Sequence, residues 1–337
     1  VKIIDISKSK LEIISKNAFL NCTSLSEFDL PKTVCCFEKS CFENCSKYKC
    51  QICISNDSQI TVGLNSFNGS GITKFESKSS NIIIEDFSFK NCKELTQFTA
   101  EADKIIKIGK SSFINCSSLE NVNLNQKVES IEFNESCFMN SSIKSLEIPD
   151  TLDIIPEFCF KDCNKLENVT IKEKSQIFSF QIEAFLNSGI NSIYIPSKTK
   201  EIQKECFKNC RNLKKLTFAD LEDQCIIDEE AFYNSGIESL NISNKIEKIN
   251  YNCFMKCTNL NKITFSDDLL FKSIEENAFH SCGIEKLIIP KCIENIGKSA
   301  FQNCEQLQEI SFLGDDVMIS PLAFSGCNKL NKINCEK

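Results

Sequence analysis

The sequence predicts a repeat solenoid, in which short, near-identical repeats stack along one axis around a shared core. Three periodicities carry that prediction. A phenylalanine recurs as Phe19, Phe42, Phe67, Phe89, Phe113, Phe138, Phe160, Phe185, Phe207, Phe232, Phe254, Phe279, Phe301 and Phe324, which divides the chain into fourteen repeats of 22 to 25 residues. The residue five places before each Phe is apolar without exception, from Ile14, Phe37 and Val62 through to Ile296 and Ile319. Three places after the Phe stands Cys (Cys22, Cys45, Cys92, Cys116, Cys163, Cys210, Cys257, Cys282, Cys304, Cys327) or its near-isostere Ser (Ser70, Ser141, Ser188, Ser235), a position that asks for a small side chain.

Each repeat then reads as a fixed order of elements. After the small residue comes L-x-x-I-x-I, as in Leu119-x-x-Val122-x-Leu124 and Leu307-x-x-Ile310-x-Phe312. Its apolar residues alternate at the end, which is the signature of a half-buried strand, so one short strand is expected per repeat. Two versions alternate: a long F-x-N-C-x-x-L form, and a form one residue shorter, F-x-N-S-G-I, at Phe185 and Phe232. From Phe113 to Phe301 the spacings run 25, 22, 25, 22, 25, 22, 25, 22, a paired unit of 47 residues. Ile148-Pro149, Ile195-Pro196 and Ile289-Pro290 end strands of the short form, because proline cannot donate to a ladder. The pattern slips by one residue between Tyr48 and Ile54, and Gly69-Ser70 replaces the usual Asn-Cys.

One repeat cannot bury its own Ile, Phe and Leu, but a stack in register makes a continuous core. Parallel strands at about 4.8 Å give roughly 65 Å for the whole array. The expectation is therefore one curved rod, a single solenoid domain over residues 1–337, with short strands, turns or single helical turns on the side away from the sheet. Ile4-x-Ile6 and Ile333-x-Cys335 break the pattern at its ends, so the expectation is a piece of a longer protein.

The string Cys282-Gly-Ile-Glu-Lys-Leu-Ile-Ile-Pro290, continuing through Ile293-x-x-Ile296-Gly297 to Ala300-Phe301-Gln-Asn-Cys304, resembles the BspA-like leucine-rich repeats of bacteria and parasitic protists. The resemblance covers essentially the whole chain. It implies a leucine-rich-repeat horseshoe with a parallel sheet on its concave face, and a surface protein used in adhesion to host cells or matrix. Abundant Lys, Asn, Ile and Phe would suit a protist with an AT-rich genome.

Composition narrows the function further. The net charge is −7 and Arg211 is the only arginine, which leaves few candidates for bidentate phosphate or base recognition, so no nucleic-acid partner is expected. Residues 1–9 lack a signal-peptide pattern, and no stretch of 18 apolar residues runs without a charge; the fragment is expected to be soluble, without membrane insertion. The single histidine, His280, reads as an exposed loop residue. With no triad, no phosphate-cradling Gly-rich loop and scattered carboxylates, neither enzyme activity nor any cofactor or metal is assigned.

Of the 22 cysteines, ten fill the position after the Phe and five (Cys41, Cys137, Cys159, Cys206, Cys253) the position just before it, where sister repeats carry Ala or Ser. The resulting C-F-x-x-C spacing at Cys41/Cys45, Cys159/Cys163, Cys206/Cys210 and Cys253/Cys257 is one that zinc or a redox pair can use, but since Ala or Ser replaces either thiol in sister repeats, both read as small core fillers. Disulfides along the ladder are disfavoured, because stacked equivalents have parallel Cβ vectors about 4.8 Å apart. Only Cys35, Cys36, Cys41, Cys45, Cys50 and Cys53 form a denser group, for which a metal site, a disulfide and irregular packing remain open. Nine N-x-S/T sequons occur, at Asn21, Asn44, Asn56, Asn68, Asn115, Asn134, Asn140, Asn168 and Asn241. Asn21, Asn115 and Asn140 stand two residues after the Phe, where a tight turn is expected.

Binding should use the outward strand positions, which line up in columns. One column reads Thr99, Asn123, Glu147, Thr170, Tyr194, Thr217, Asn241, Thr264, Ile288, Ser311 and Asn334, mostly small and polar, and Tyr194 and Ile288 break it as candidate anchors. Two residues earlier lie Lys215, Lys262, Lys286 and Lys332, a candidate basic stripe. The expected partner is a protein, glycoprotein or matrix component. Two classes stand open: a cell-surface or secreted adhesin, or an intracellular scaffold, which many free thiols would suit.

Overall fold

Alternate strand residues must face opposite ways, and in this chain the inward ones find their own copies in the next repeat. A computed structural model describes residues 3–55, 59–266 and 268–335. The chain forms two compact units, Val1–Ile177 and Phe178–Lys337, and seven of the fourteen repeat phenylalanines fall in each. Both units are parallel-strand solenoids, and no residue described is helical.

Beside the main strand, the repeats carry a second strand segment, the short-strand alternative among the strands, turns or single helical turns expected there. In the first unit the L-x-x-I-x-I segments form strands such as Asn121–Leu124, Ser145–Glu147 and Asn168–Thr170. A second column is built on the apolar residue five before the Phe: Ile13–Ile14, Cys36–Phe37, Gln59–Val62, Ser130–Phe133 and Ile154–Ile155. Two long strands, Lys74–Ile84 and Gln97–Ile108, run through both columns in one sweep. In the second unit Ser192–Ile195 pairs with Lys215–Phe218, and five strands from Ser239–Ile242 to Lys332–Cys335 form one parallel sheet. Its second column comprises Ser179–Phe180, Glu201–Ile202, Cys225–Ile227 and Ile246–Ile249, followed by Ser273–Ile274, Asn295–Ile296 and Met318–Ile319. Segments of two residues are too short to show alternation, which is why the sequence pattern hides them.

The turn that carries the Phe has an unusual backbone. In all fourteen repeats both the residue two before the Phe and the residue two after it are left-handed, for example Ser111 (φ 51°) and Asn115 (φ 61°) around Phe113. Asn tolerates this conformation, and it supplies most of the second set, including Asn21, Asn115 and Asn140, where the sequence predicted a tight turn but not its hand. Alternating the hand turns every second N–H out of the repeat. Ser111, Phe113 and Asn115 donate to the carbonyls of Glu135, Cys137 and Met139 in the next repeat at 2.9, 2.8 and 3.1 Å, while Ser112, Ile114 and Cys116 bond within their own. The Phe rings consequently stack, from Phe19 to Phe160 at centroid separations of 5.0 to 5.7 Å and from Phe185 to Phe324 at 5.1 to 5.4 Å. All but Phe19 and Phe324 are buried.

The slipped repeat has a local cause. Tyr48 fills the place that Leu holds elsewhere, and Ile52, four residues on rather than three, pairs in register with Phe75. The Tyr48 hydroxyl donates to the Phe28 carbonyl at 2.9 Å, so the ring absorbs the extra residue and satisfies an acceptor that a neighbouring strand would otherwise bond.

The short repeats need glycine because they bring the backbone onto the carbonyl of the repeat before. A Cβ on Gly236 would lie 2.1 Å from the Arg211 oxygen, and one on Gly283 2.2 Å from that of Thr258. Ser142 holds the same place after Phe138 and survives there by donating its hydroxyl to the Ser117 carbonyl at 2.7 Å. Gly236→Ala should therefore cost about 1–3 kcal/mol, and Gly236→Ser measurably less, because its hydroxyl can bond the Arg211 oxygen. Urea midpoints of the three proteins check the order; equal losses would mean that the carbonyl contact is relieved by other means.

Candidate binding face

The ten-member thiol column shows what the small residue does. From Cys45 onward each of its cysteines donates S–H to the Phe carbonyl of the preceding repeat, at 2.9 Å for Cys92 to Phe67, 3.0 Å for Cys210 to Phe185 and 3.1 Å for Cys257 to Phe232. Where Ser replaces Cys, its hydroxyl lies against the next thiol instead, Ser188 to Cys210 and Ser235 to Cys257 both at 3.3 Å. The thiol is thus a hydrogen-bonding group as well as a filler. Burial pushes Cys163 and Cys257 up to about 11 and Cys92, Cys210 and Cys304 up to about 12, from an ordinary 9.0, so the donating proton is held. Cys137 and Cys159, stacked in the other column, lie at 3.4 Å between sulfurs. Within the Cys35–Cys53 group, Cys41 and Cys45 are buried, Cys35, Cys36 and Cys50 are half-buried and Cys53 is exposed on the sheet.

His280 is half-buried rather than exposed, with Nδ1 at 2.9 Å from the Ser281 hydroxyl, and burial first, then Lys256, lowers its pKa. Among the described residues, no three His, Cys, Asp or Glu side chains are grouped to hold a metal ion, and no helix is long and apolar enough to cross a membrane.

Outside the core, interactions run along the stack. Asn115 donates to Asn91 at 3.0 Å and Asn140 to Asn115 at 2.8 Å; Asn209 to Asn187 and Asn234 to Asn209 repeat this in the second unit. A groove of about 570 Å³ beside the first ladder is lined by Asn91, Lys93, Asn115, Ser117, Asn140 and Asn164, among others. Ion pairs follow the same habit: Lys107–Glu132, Lys110–Glu135, Lys144–Glu120 and Lys172–Glu147 in the first unit, Lys204–Glu229 and Lys208–Glu230 in the second, all at 2.6 to 3.1 Å.

The strand registers align the residues of the columns read from the sequence, but Thr99 is buried rather than outward-facing. In the first unit Thr99 aligns with Asn123 and Glu147 with Thr170; acidic Glu27 and Asp29 are exposed, while Lys74 is held by Glu76 at 2.6 Å. In the second, Tyr194 aligns with Thr217, Asn241 with Thr264, and Ile288 with Ser311 and so with Asn334. Thr264 donates to Asn241 at 2.9 Å and Asn334 to Ser311 at 3.0 Å. Tyr194 is half-buried, so it protrudes less than its sequence position suggested, whereas Ile288 is 56% exposed.

Lys215, Lys262 and Lys286 are exposed on the same face, and Lys262 stands in direct register with Lys286. The basic stripe is broken by Glu309, which is in register with both Lys286 and Lys332 and pairs with both. The hydrogen bond from Lys332, then that from Asn334, pulls the Glu309 carboxyl down to about 2. Of the sequons, Asn115 and Asn140 spend their Nδ2 groups in the ladder, Asn168 and Asn241 are exposed on the sheet, and Asn56 lies outside the described residues.

A family model described as BspA type leucine-rich repeat region matches in six copies, over residues 1–82, 48–135, 132–223 and 225–337. A leucine-rich repeat protein from Bacteroides ovatus has a crystal structure similar to this chain, with 26% identity, a TM-score of 0.72, and coverage of 96% of this chain and 82% of that one. A leucine rich cell surface protein from Faecalibacterium prausnitzii aligns at 22% identity over 97% and 83% of the two chains, with a TM-score of 0.45. Comparison with curated proteins found no match.

Two measurements check the thiol ladder. Iodoacetamide should modify Cys22, Cys53 and Cys335 in the native protein, and the column from Cys92 to Cys304 only after denaturation. Because the folded state holds these thiols above 9.0, their contribution is complete below that pH and is lost as pH rises from about 9 towards 11–12, where unfolded thiols ionise first. The double variant Cys210→Ala, Cys257→Ala should lose about 0.5–1.5 kcal/mol per donor at pH 7 and show a shallower decline in urea midpoint between pH 8 and pH 10. An unchanged decline would remove these thiols from the account.

Proposed function

The chain belongs to the BspA type leucine-rich repeat family, and from that membership we propose that it is a protein-binding module that engages a partner macromolecule through the exposed sheet face, as part of a cell-surface or secreted adhesin. The observation that carries the reading is the face of the second unit, where Ile288 stands 56% exposed beside Ser311, with Lys262 and Lys286 in register on the same sheet. A protruding aliphatic side chain among small polar ones is what an interface anchor needs. Many repeats offering equivalent positions let a large partner touch several at once, so affinity can come from area rather than from a pocket. No chemistry is assigned to the module: it acts by binding.

One observation favours a second reading, an intracellular scaffold. The thiol ladder requires its S–H groups, and proteins kept in reducing compartments retain them without protection.

Two experiments test these readings. The purified chain is applied to cultured epithelial cells and immobilised matrix proteins, beside a Thr264→Arg, Ile288→Arg variant and a Lys204→Ala control. The face variant should bind at least about tenfold more weakly, a loss of ~1.4 kcal/mol, and the control unchanged; a face variant that binds as well as the parent removes the sheet from the proposal. Intact mass of the native protein, with and without glycosidase, separates the compartments. Glycan loss is expected, mapping to Asn168 or Asn241 and not to Asn115 or Asn140; no glycan and fully alkylatable thiols would favour the scaffold.

A further inference from the structure

We infer that the sheet face of the second unit takes an acidic segment of a partner protein, its carboxylates over Lys262 and Lys286 and an apolar side chain against Ile288. The inference rests on the sheet-face reading above and names the chemistry of the partner.

Elsewhere in this protein charge is paired along the stack. Lysines are matched to glutamates one repeat away, as in Lys110–Glu135, Lys144–Glu120, Lys204–Glu229 and Lys298–Glu276. Stacked equivalents sit one strand apart, so like charges in register repel and opposite charges attract. At one step of the second sheet the habit is reversed, and Lys262 is paired in register with Lys286. Among the described residues, no carboxylate oxygen lies within 4.0 Å of Lys215 or Lys262. Lys286 reaches only Glu309, at 3.5 Å, and Glu309 is held more closely by Lys332 and by Asn334 at 2.9 Å. A chain of net charge −7 therefore leaves a register column of Ser239, Lys262, Lys286, Glu309 and Lys332 with three ammonium groups and one carboxylate. The missing negative charge is what a partner can supply.

Ile288 adds a second demand. It lies two residues after Lys286 on the same strand and is 56% exposed, beside Ser311, whose hydroxyl is occupied by Asn334. Four strand steps of about 4.8 Å make the column roughly 19 Å long, which about six residues of extended chain would span. A peptide can place carboxylates over the lysines and an aliphatic side chain on Ile288. A sulfated glycan would match the charge alone and leave Ile288 uncovered.

The test uses a fluorescein-labelled glutamate-rich peptide with one central leucine, a heparin oligosaccharide for comparison, and the K262S/K286S double variant of the full chain. Serine already stands in this column at Ser239, so the variant should fold, and its Tm should equal or exceed that of the parent because a repulsion is removed. The peptide should bind the parent and weaken steeply as salt rises to about 0.3 M, where the screening length falls to a few ångströms. The double variant should bind roughly tenfold more weakly, and Ile288→Thr should lose affinity without losing the salt dependence. Equal peptide binding by parent and double variant, binding of heparin but not of the peptide, or a lower Tm in K262S/K286S would each overturn the inference. Cell or matrix binding cut by Thr264→Arg, Ile288→Arg but untouched by K262S/K286S would overturn it while leaving the sheet-face reading intact; binding untouched by either would overturn both.

Discussion

Every structural feature of this protein depends on one constraint: the turn that carries the phenylalanine sends half of its N–H groups to the next repeat. Two left-handed residues flank each Phe, and a non-glycine residue in that conformation costs on the order of 1 kcal/mol. A single repeat has nothing with which to offset that strain. In the stack, the outward donors find carbonyls 2.8 to 3.1 Å away in the next repeat, as around Phe113, and the rings above and below exclude water from those bonds. The repeat conformation is therefore a property of neighbours, and the cooperativity of the fold is built into the turn.

The same geometry explains the cysteines. Pulling the Phe turn inward leaves its carbonyl with one within-repeat donor, and the next repeat supplies a second through a thiol. Sulfur suits the position because its long bonds reach across the gap between repeats, while a weak S–H donor tolerates a dry core. Serine falls short of the carbonyl and turns to the neighbouring thiol, which accounts for the regular Ser–Cys contacts at the long and short repeats.

Because contacts run along columns, the surface is organised in the same direction as the core. Asparagine meets asparagine at the turns and lysine meets glutamate at the edges, and exceptions to that order become conspicuous. The Lys262–Lys286 step and the uncovered Ile288 are such exceptions, placed side by side on the sheet. Function in a solenoid of this kind is written as departures from a repeat that is otherwise occupied with holding itself together.

From the sequence alone the period, the parallel main strands, the inward Phe, Ile and Leu, the slip after Tyr48 and a tight turn at the Asn after the Phe could all be read, because each depends on residue type at a repeated position. Tertiary structure decided the rest. The second strand column arises only when neighbouring repeats pair, and its two-residue segments hold no alternation of their own. The left-handed residue before the Phe is Asn, Ser, Glu, Phe or Leu in different repeats, so composition could not announce it. The thiol read as a filler becomes a donor only once the carbonyl of the preceding Phe is placed against it. The exposure of His280 and Tyr194, and the sharing of Glu309 between two lysines, likewise required the stack. Periodicity encodes which residues face the core; what each meets there is set by the repeat above and the repeat below, twenty-odd residues away in the chain.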